Sequence, residues 1–157
     1  MKATPSPASP RRRRVLAGGA ALAALRALPG RAAPFGLPDI PELAAMLGGR
    51  APRSERLVLD MPRIAEDGSA VPARLELPGP FAPGAHPATL ALFSERNPVR
   101  TMAVLEYPLP VARVEFETRV RLNGSQRIVA VAMLADGTVY TAVTEVIDAA
   151  SACLDGT

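Results

Sequence analysis

From Leu57 onward, apolar and polar residues alternate almost to the C-terminus. Period-two alternation marks strands with one face buried. It predicts strands over 56–60, 71–77, 88–94, 101–107, 112–122, 126–135 and 138–147. The run from Arg113 to Leu122 is the clearest: Val114, Phe116, Val120 and Leu122 fall on one side, and Arg113, Glu115, Glu117, Arg119 and Arg121 on the other. Ile128 to Leu134 is apolar on both sides and predicts a central strand. Asn123-Gly124 and Asp136-Gly137 supply the positive-φ positions of tight hairpins and predict that three successive strands pair in order. Asp67-Gly68 marks an earlier turn, and Pro72, Pro78, Pro98 and Pro108 stand at strand ends, where a missing N–H does least harm. Before the strands, the spacing switches once. Asp39 to Leu47 reads as a short helix with Asp39 as its cap, Gly48-Gly49 as its stop, and Leu43, Met46 and Leu47 on one face for a sheet edge or a partner.

About seven short strands separated by regular turn signals predict an all-β fold, an immunoglobulin-like antiparallel β-sandwich with a short N-terminal helix and a flexible C-terminal arm. The disulfide and Trp of antibody-type domains are absent, since the chain has one Cys and no Trp. The boundaries predicted are a leader over 1–33, a linker and short helix over 34–55, the sandwich over 56–148 and a tail over 149–157.

Composition sharpens this picture at three points. A 157-residue chain that is 48% hydrophobic can fill one core, which excludes a disordered protein, and a single Cys excludes a disulfide-built one. The net charge of +3 is misleading. Residues 1–33 hold seven basic residues and no acidic one, so the remainder carries 11 basic against 15 acidic residues, a net of −4. That removes the electrostatic support for nucleic-acid binding, and four Phe with two Tyr make a poor stacking platform for bases.

The leader itself reads as an address. Four arginines, Arg11 to Arg14, precede a short, mildly apolar run from Val15 to Leu25, too brief for a membrane span. Arg12-Arg13-Arg14-Val15-Leu16 resembles the twin-arginine export motif, with Arg12 and Arg13 as the pair, and cleavage is expected near Ala32 or Ala33. The alternative is an uncleaved amphipathic anchor. Export predicts a periplasmic protein.

Candidate chemistry is sparse. His86, the only His, stands in a Pro-Gly-rich loop, so neither a His-based metal set nor a Ser-His-Asp arrangement is encoded. No metal site, cofactor or catalytic residue is expected, and the chain reads as a non-enzyme. Cys153 stands apart. The last strand is expected to end near Ile147 or Asp148, leaving the thiol on a run of small residues that would span roughly 20 Å if extended. Asp148, Asp155 and the terminal carboxylate are its nearest charges, and negative neighbours raise a thiol's pKa. Such a thiol suits a carrier arm whose partner supplies the activation. The alternative is an interaction module in which Cys153 makes only an intermolecular disulfide.

These features together resemble the SoxY family, the sulfur-carrier subunits of periplasmic thiosulfate oxidation. The likeness lies in Met61-Pro62-Arg63-Ile64-Ala65-Glu66-Asp67-Gly68 followed by Val71-Pro72, in Arg96-Asn97-Pro98, in the strands up to Asp136-Gly137-Thr138-Val139-Tyr140, and in the terminal Cys. The resemblance implies a sandwich paired with a SoxZ-like subunit in a heterodimer. It implies that a c-type cytochrome couples thiosulfate to Cys153, that a hydrolase releases sulfate, and that a sulfane dehydrogenase oxidises the sulfur left behind. The tail departs from the family pattern. Where Gly-Gly-Cys-Gly-Gly is usual, this chain has Ser151-Ala152-Cys153-Leu154-Asp155, which leaves open a SoxY-like paralogue serving another pathway.

Overall fold

The computed structural model describes Met1 and residues 36–154, with side chains as far as Ser151. The expected leader, its Arg12–Arg13 pair and its cleavage zone lie outside the described residues. Two sheets pack face to face, as the alternation predicts. The elements are α1 (Pro41–Leu47), β1 (Val58–Asp60), β2 (Ile64–Ala65), β3 (Val71–Leu77), β4 (Pro87–Ser94), β5 (Thr101–Glu106), β6 (Val114–Val120), β7 (Gln126–Leu134), β8 (Val139–Asp148) and α2 (Ala149–Leu154). One sheet has the order β1-β3-β6, the other β2-β8-β7-β4-β5. All pairs are antiparallel except β2, which runs parallel to β8.

The main core lies between the sheets, where Leu75, Leu77, Leu90, Leu92, Ile128 and Val146 are almost wholly buried. β7 is central, and both of its faces are covered. Ile128, Ala130, Ala132 and Leu134 enter the main core, while Val129 and Val131 lie in a second cluster with Ile40, Leu43, Ala91, Phe93 and Val139. That second layer explains α1. A seven-residue helix is marginal alone, but burying Ile40 and Leu43 contributes about 2 kcal/mol each. The helix face that could have met a partner is therefore used inside the chain. Ile40, extended and buried ahead of Pro41, occupies the cap position expected for Asp39, and it offers no side-chain cap bond. Gly48 ends it in the left-handed conformation. The linker before α1 is pinned by Arg127 Nη1 donating to the Gly36 carbonyl at 3.1 Å. Arg127 also grips Glu95 through Nη2 and Nε, at 2.6 and 3.0 Å, and these bonds hold the Glu95 carboxyl below its usual range.

Two turns that look alike in sequence differ in the fold. Asp136-Gly137 closes a hairpin between β7 and β8, with Gly137 at φ 85°. Asn123-Gly124, with Gly124 at φ 77°, carries the chain from one sheet to the other, because β6 pairs with β3 and not with β7. The hairpin expected there is a crossover. The positive φ was legible, but the choice of neighbour depends on which face of β6 is apolar and on β3, some 40 residues earlier.

Gly68 permits the closest backbone approach at this end of the sandwich. A Cβ on it would lie 2.4 Å from the Leu122 carbonyl oxygen, which is backbone and cannot swing away. Leu122 N–H in turn donates to the Gly68 carbonyl at 2.7 Å. Gly68→Ala is expected to cost about 2 kcal/mol of stability through this overlap, read as a lower urea midpoint with an unchanged m-value. A neutral substitution would show that the β2–β3 turn relaxes freely.

Candidate functional site

The site is built where β8 ends and α2 begins, because that junction carries the only cysteine. Asp148, only 5% exposed, closes β8 and caps the helix. Its Oδ1 accepts from the Ala150 and Ser151 amides at 3.2 and 3.4 Å, and its Oδ2 from the Ser151 hydroxyl at 2.7 Å. These bonds satisfy donors that a helix start leaves unpartnered. The tail that follows therefore opens as helix from Ala149 to Leu154, and Cys153 belongs to its last turn. Ser151 and Ala152 favour this outcome, since glycine would weaken a helix by about 1 kcal/mol in place of Ala152 and by about half as much in place of Ser151.

Three further segments hold the junction. Ser125 Oγ, in the β6–β7 crossover, accepts from the Asp148 amide at 3.0 Å. β2 pairs with the end of β8, Ile64 against Ile147 and Ala65 against Asp148, and the Ile147 amide donates to the Arg63 carbonyl at 2.8 Å. Gly68 lies so close that a Cβ there would stand 3.0 Å from Asp148 Oδ2. On the outer side, Ser151 lies beside Gly124, with its Oγ 3.7 Å from where a Gly124 Cβ would be.

The crossover that presents Ser125 is fixed by a polar network centred on Gln126, which is 4% exposed. Gln126 Oε1 accepts from Ser94 Oγ at 2.6 Å and from the Arg96 amide at 2.9 Å. Its Nε2 donates to Asn97 Oδ1 at 3.0 Å, and that oxygen also accepts from the Asn123 amide at 2.9 Å. Asn97 Nδ2 completes the tie by donating to the Arg121 carbonyl at 2.8 Å. The segments that carry the sequence resemblance, 61–68 and 96–98, thus meet around the root of the cysteine-bearing tail although they are far apart in the chain. Cys153 was singled out by its isolation. In the sequence Asp148 reads as a strand end and a neighbouring charge, Gly68 as a turn residue and Asn97 as part of the resemblance, and nothing local groups them with Ser125 and Gln126, because three separate loops bring them together. A residue-level signal existed for Asp148 alone: an Asp followed by Ala-Ala-Ser-Ala is a helix start.

The other candidates do not join this site. His86 is half-buried beside a cavity of about 430 Å³ walled by Pro80, Phe81, Pro83, Pro110 and Val111. The β7–β8 turn lies beside it, as the Ala135 amide donates to the His86 carbonyl. Arg74, in an open groove of about 510 Å³ on the outer face of the three-stranded sheet, is engaged by Glu76, by Glu115 at 2.7 Å and by Glu117 at 3.4 Å. Glu76 above all raises its pKa, and its charge is matched within the chain. Among the described residues, no three His, Cys, Asp or Glu side chains come together as a metal-binding set, and no helix is long and apolar enough to cross a membrane.

A family model described as Sulfur oxidation protein SoxY matches residues 43–153, a stretch that begins within α1 and ends at the cysteine. Among solved structures, the sulfur carrier protein SoxY from Chlorobium limicola f thiosulfatophilum is 28% identical, with 68% of this chain and 92% of that one covered at a TM-score of 0.55. A variant of the superoxide reductase (neelaredoxin) from Ignicoccus hospitalis is 11% identical over 69% of this chain and 91% of that one, at a TM-score of 0.47. Another superoxide reductase structure from that organism is 13% identical over 60% and 81%, at 0.46. Likenesses that distant carry no argument about this chain. No curated protein matches it significantly.

Proposed function

The chain belongs to the SoxY family, and on that premise we propose that it is a carrier which holds sulfur intermediates covalently on Cys153 and presents them to partner enzymes. One observation carries the reading. The family match runs through to residue 153, the only cysteine in the chain, five residues past a strand end that three separate segments hold in place. The likeness to a solved sulfur carrier protein supports it.

The chemistry needs a thiol and little else from this chain. Coupling thiosulfate to Cys153 forms one S–S bond and releases the thiol proton and two electrons, so loading requires an electron acceptor, a role that suits a c-type cytochrome. Hydrolysis of the sulfonate end by a partner hydrolase releases sulfate and leaves a persulfide on Cys153, which a sulfane dehydrogenase then oxidises. No catalytic group of this chain enters these steps, in keeping with a carrier that is not an enzyme. A SoxZ-like subunit is the proposed stable partner. The outer edge strand β5 suits it, because among the described residues it is paired with β4 alone, and because Val104 on the strand and Val99 and Leu109 flanking it are exposed. The proposed compartment is the periplasm, reached through the Arg12–Arg13 motif.

The test is intact-mass analysis. The reduced protein, incubated with thiosulfate, the cytochrome and the SoxZ-like subunit, is expected to gain the mass of one thiosulfate adduct, reversed by a thiol reductant. Protein alkylated beforehand with iodoacetamide is expected to gain nothing. A chain that forms only a disulfide-linked dimer and takes up no sulfur would overturn the proposal in favour of an interaction module.

A further inference from the structure

We propose that Asp148 is a positioning residue that sets the reach of the carrier arm. It holds the arm's first turns as helix in a retracted state, and the extended state that enters a partner's site is reached by melting α2. This inference rests on the carrier reading above. Its basis is the hydrogen bonding at the arm's root. Asp148 is held on its strand side by Ser125 Oγ and by the β2 pairing, and it directs both carboxylate oxygens forward into the arm, where Ala150 and Ser151 provide three donors. The cap is therefore fixed to the sandwich, while the helix beyond it spans only Ala149–Leu154. A helix this short has too few internal bonds to persist without its cap.

The two states differ in length. Five residues separate Asp148 from Cys153. As helix they advance the chain by about 7.5 Å, and extended they span about 17 Å. Melting α2 therefore moves the sulfur-bearing residue outward by about 10 Å without disturbing the sandwich. Ser151 takes part twice, donating its hydroxyl to Asp148 Oδ2 and lying against Gly124. The retracted turn is thus bonded at its cap and seated against the crossover loop.

The single cysteine makes the experiment direct, because a nitroxide label on Cys153 needs no background mutations. In the unlabelled parent protein, Cα chemical shifts at 150–153 are expected to be helical. In the labelled protein, amides at Gly124 and Ser125 are expected to be broadened by the nitroxide. Asp148→Ala is expected to lower the helical population about fivefold, the effect of losing one good cap, and to relieve the broadening. Asp148→Asn, which keeps an accepting oxygen, is expected to restore both signals. Should Asp148→Ala unfold the sandwich, the double substitution Ala150→Gly and Ser151→Gly melts the helix and leaves Asp148 in place. Helical shifts that survive Asp148→Ala, or that are absent from the parent protein, would overturn the inference. Sulfur loading of the unlabelled variants, measured by mass, separates the two readings. Altered loading rates that track helix content support the positioning role. Equal rates in every variant overturn it while leaving the carrier reading intact, and no loading in any variant, the parent included, counts against the carrier reading alone.

Discussion

Cys153→Ala is expected to abolish every sulfur adduct while leaving the fold of the sandwich intact. Adduct formation needs a sulfur nucleophile, and the chain has no other cysteine to substitute for this one. Loading should therefore fall to the detection limit and not merely decline. Stability should not follow it down. Cys153 lies in α2, beyond the last strand, and alanine is a better helix former than cysteine by about 0.6 kcal/mol. The thermal midpoint, followed by far-ultraviolet circular dichroism, is expected to shift by no more than about 2 °C. Residual adduct on the alanine variant would place the cargo elsewhere, and a large fall in midpoint would make Cys153 a structural residue.

Gln126→Leu is expected to destabilise the chain by about 3 kcal/mol. The substitution keeps the volume roughly constant but deletes an amide that serves four partners: the Ser94 hydroxyl, the Arg96 amide, Asn97 Oδ1 and the Gly124 carbonyl. Ser94 is fully buried, so its hydroxyl has no water to turn to, and each stranded group of this kind costs about 1–3 kcal/mol. For a domain of this size the loss corresponds to a fall of about 10 °C in melting temperature. Faster amide exchange at Gly124 and Ser125 should accompany it, because Gln126 ties their loop to the β4–β5 turn. A loss under about 1 kcal/mol would mean that these loops are held by something other than this network.

How much of this was readable beforehand follows from the range of each interaction. Strand positions were legible because alternation is local: 71–77 is β3 as expected, and the doubly apolar run beginning at Ile128 is the central β7. What covers the second face of β7 was not, since Val129 and Val131 give no sign that Ile40 and Leu43 will lie over them. β2 escaped notice because two residues cannot display a period, and its partner Ile147 is more than 80 residues away. Sheet membership at Asn123-Gly124 differs from the expected hairpin for the same reason: turn chemistry specifies a reversal, while pairing is decided by distant strands. The cysteine was found by its isolation. The residues that seat its arm are dispersed over three loops and become a group only in the fold.

The parallel pairing of β2 with the end of β8 bears on mechanics. In the proposed carrier role the arm is withdrawn from a partner's site, and the resulting tension runs back along β8 from its C-terminal end. There the strand is paired with β2 at Ile147 and Asp148, and from Val146 inward with β7 over Gln126 to Met133. The pull therefore loads several hydrogen bonds in shear together, where a terminal strand with a single neighbour would yield more readily. Tugging on the tether should straighten the tether and leave the strand it hangs from in register.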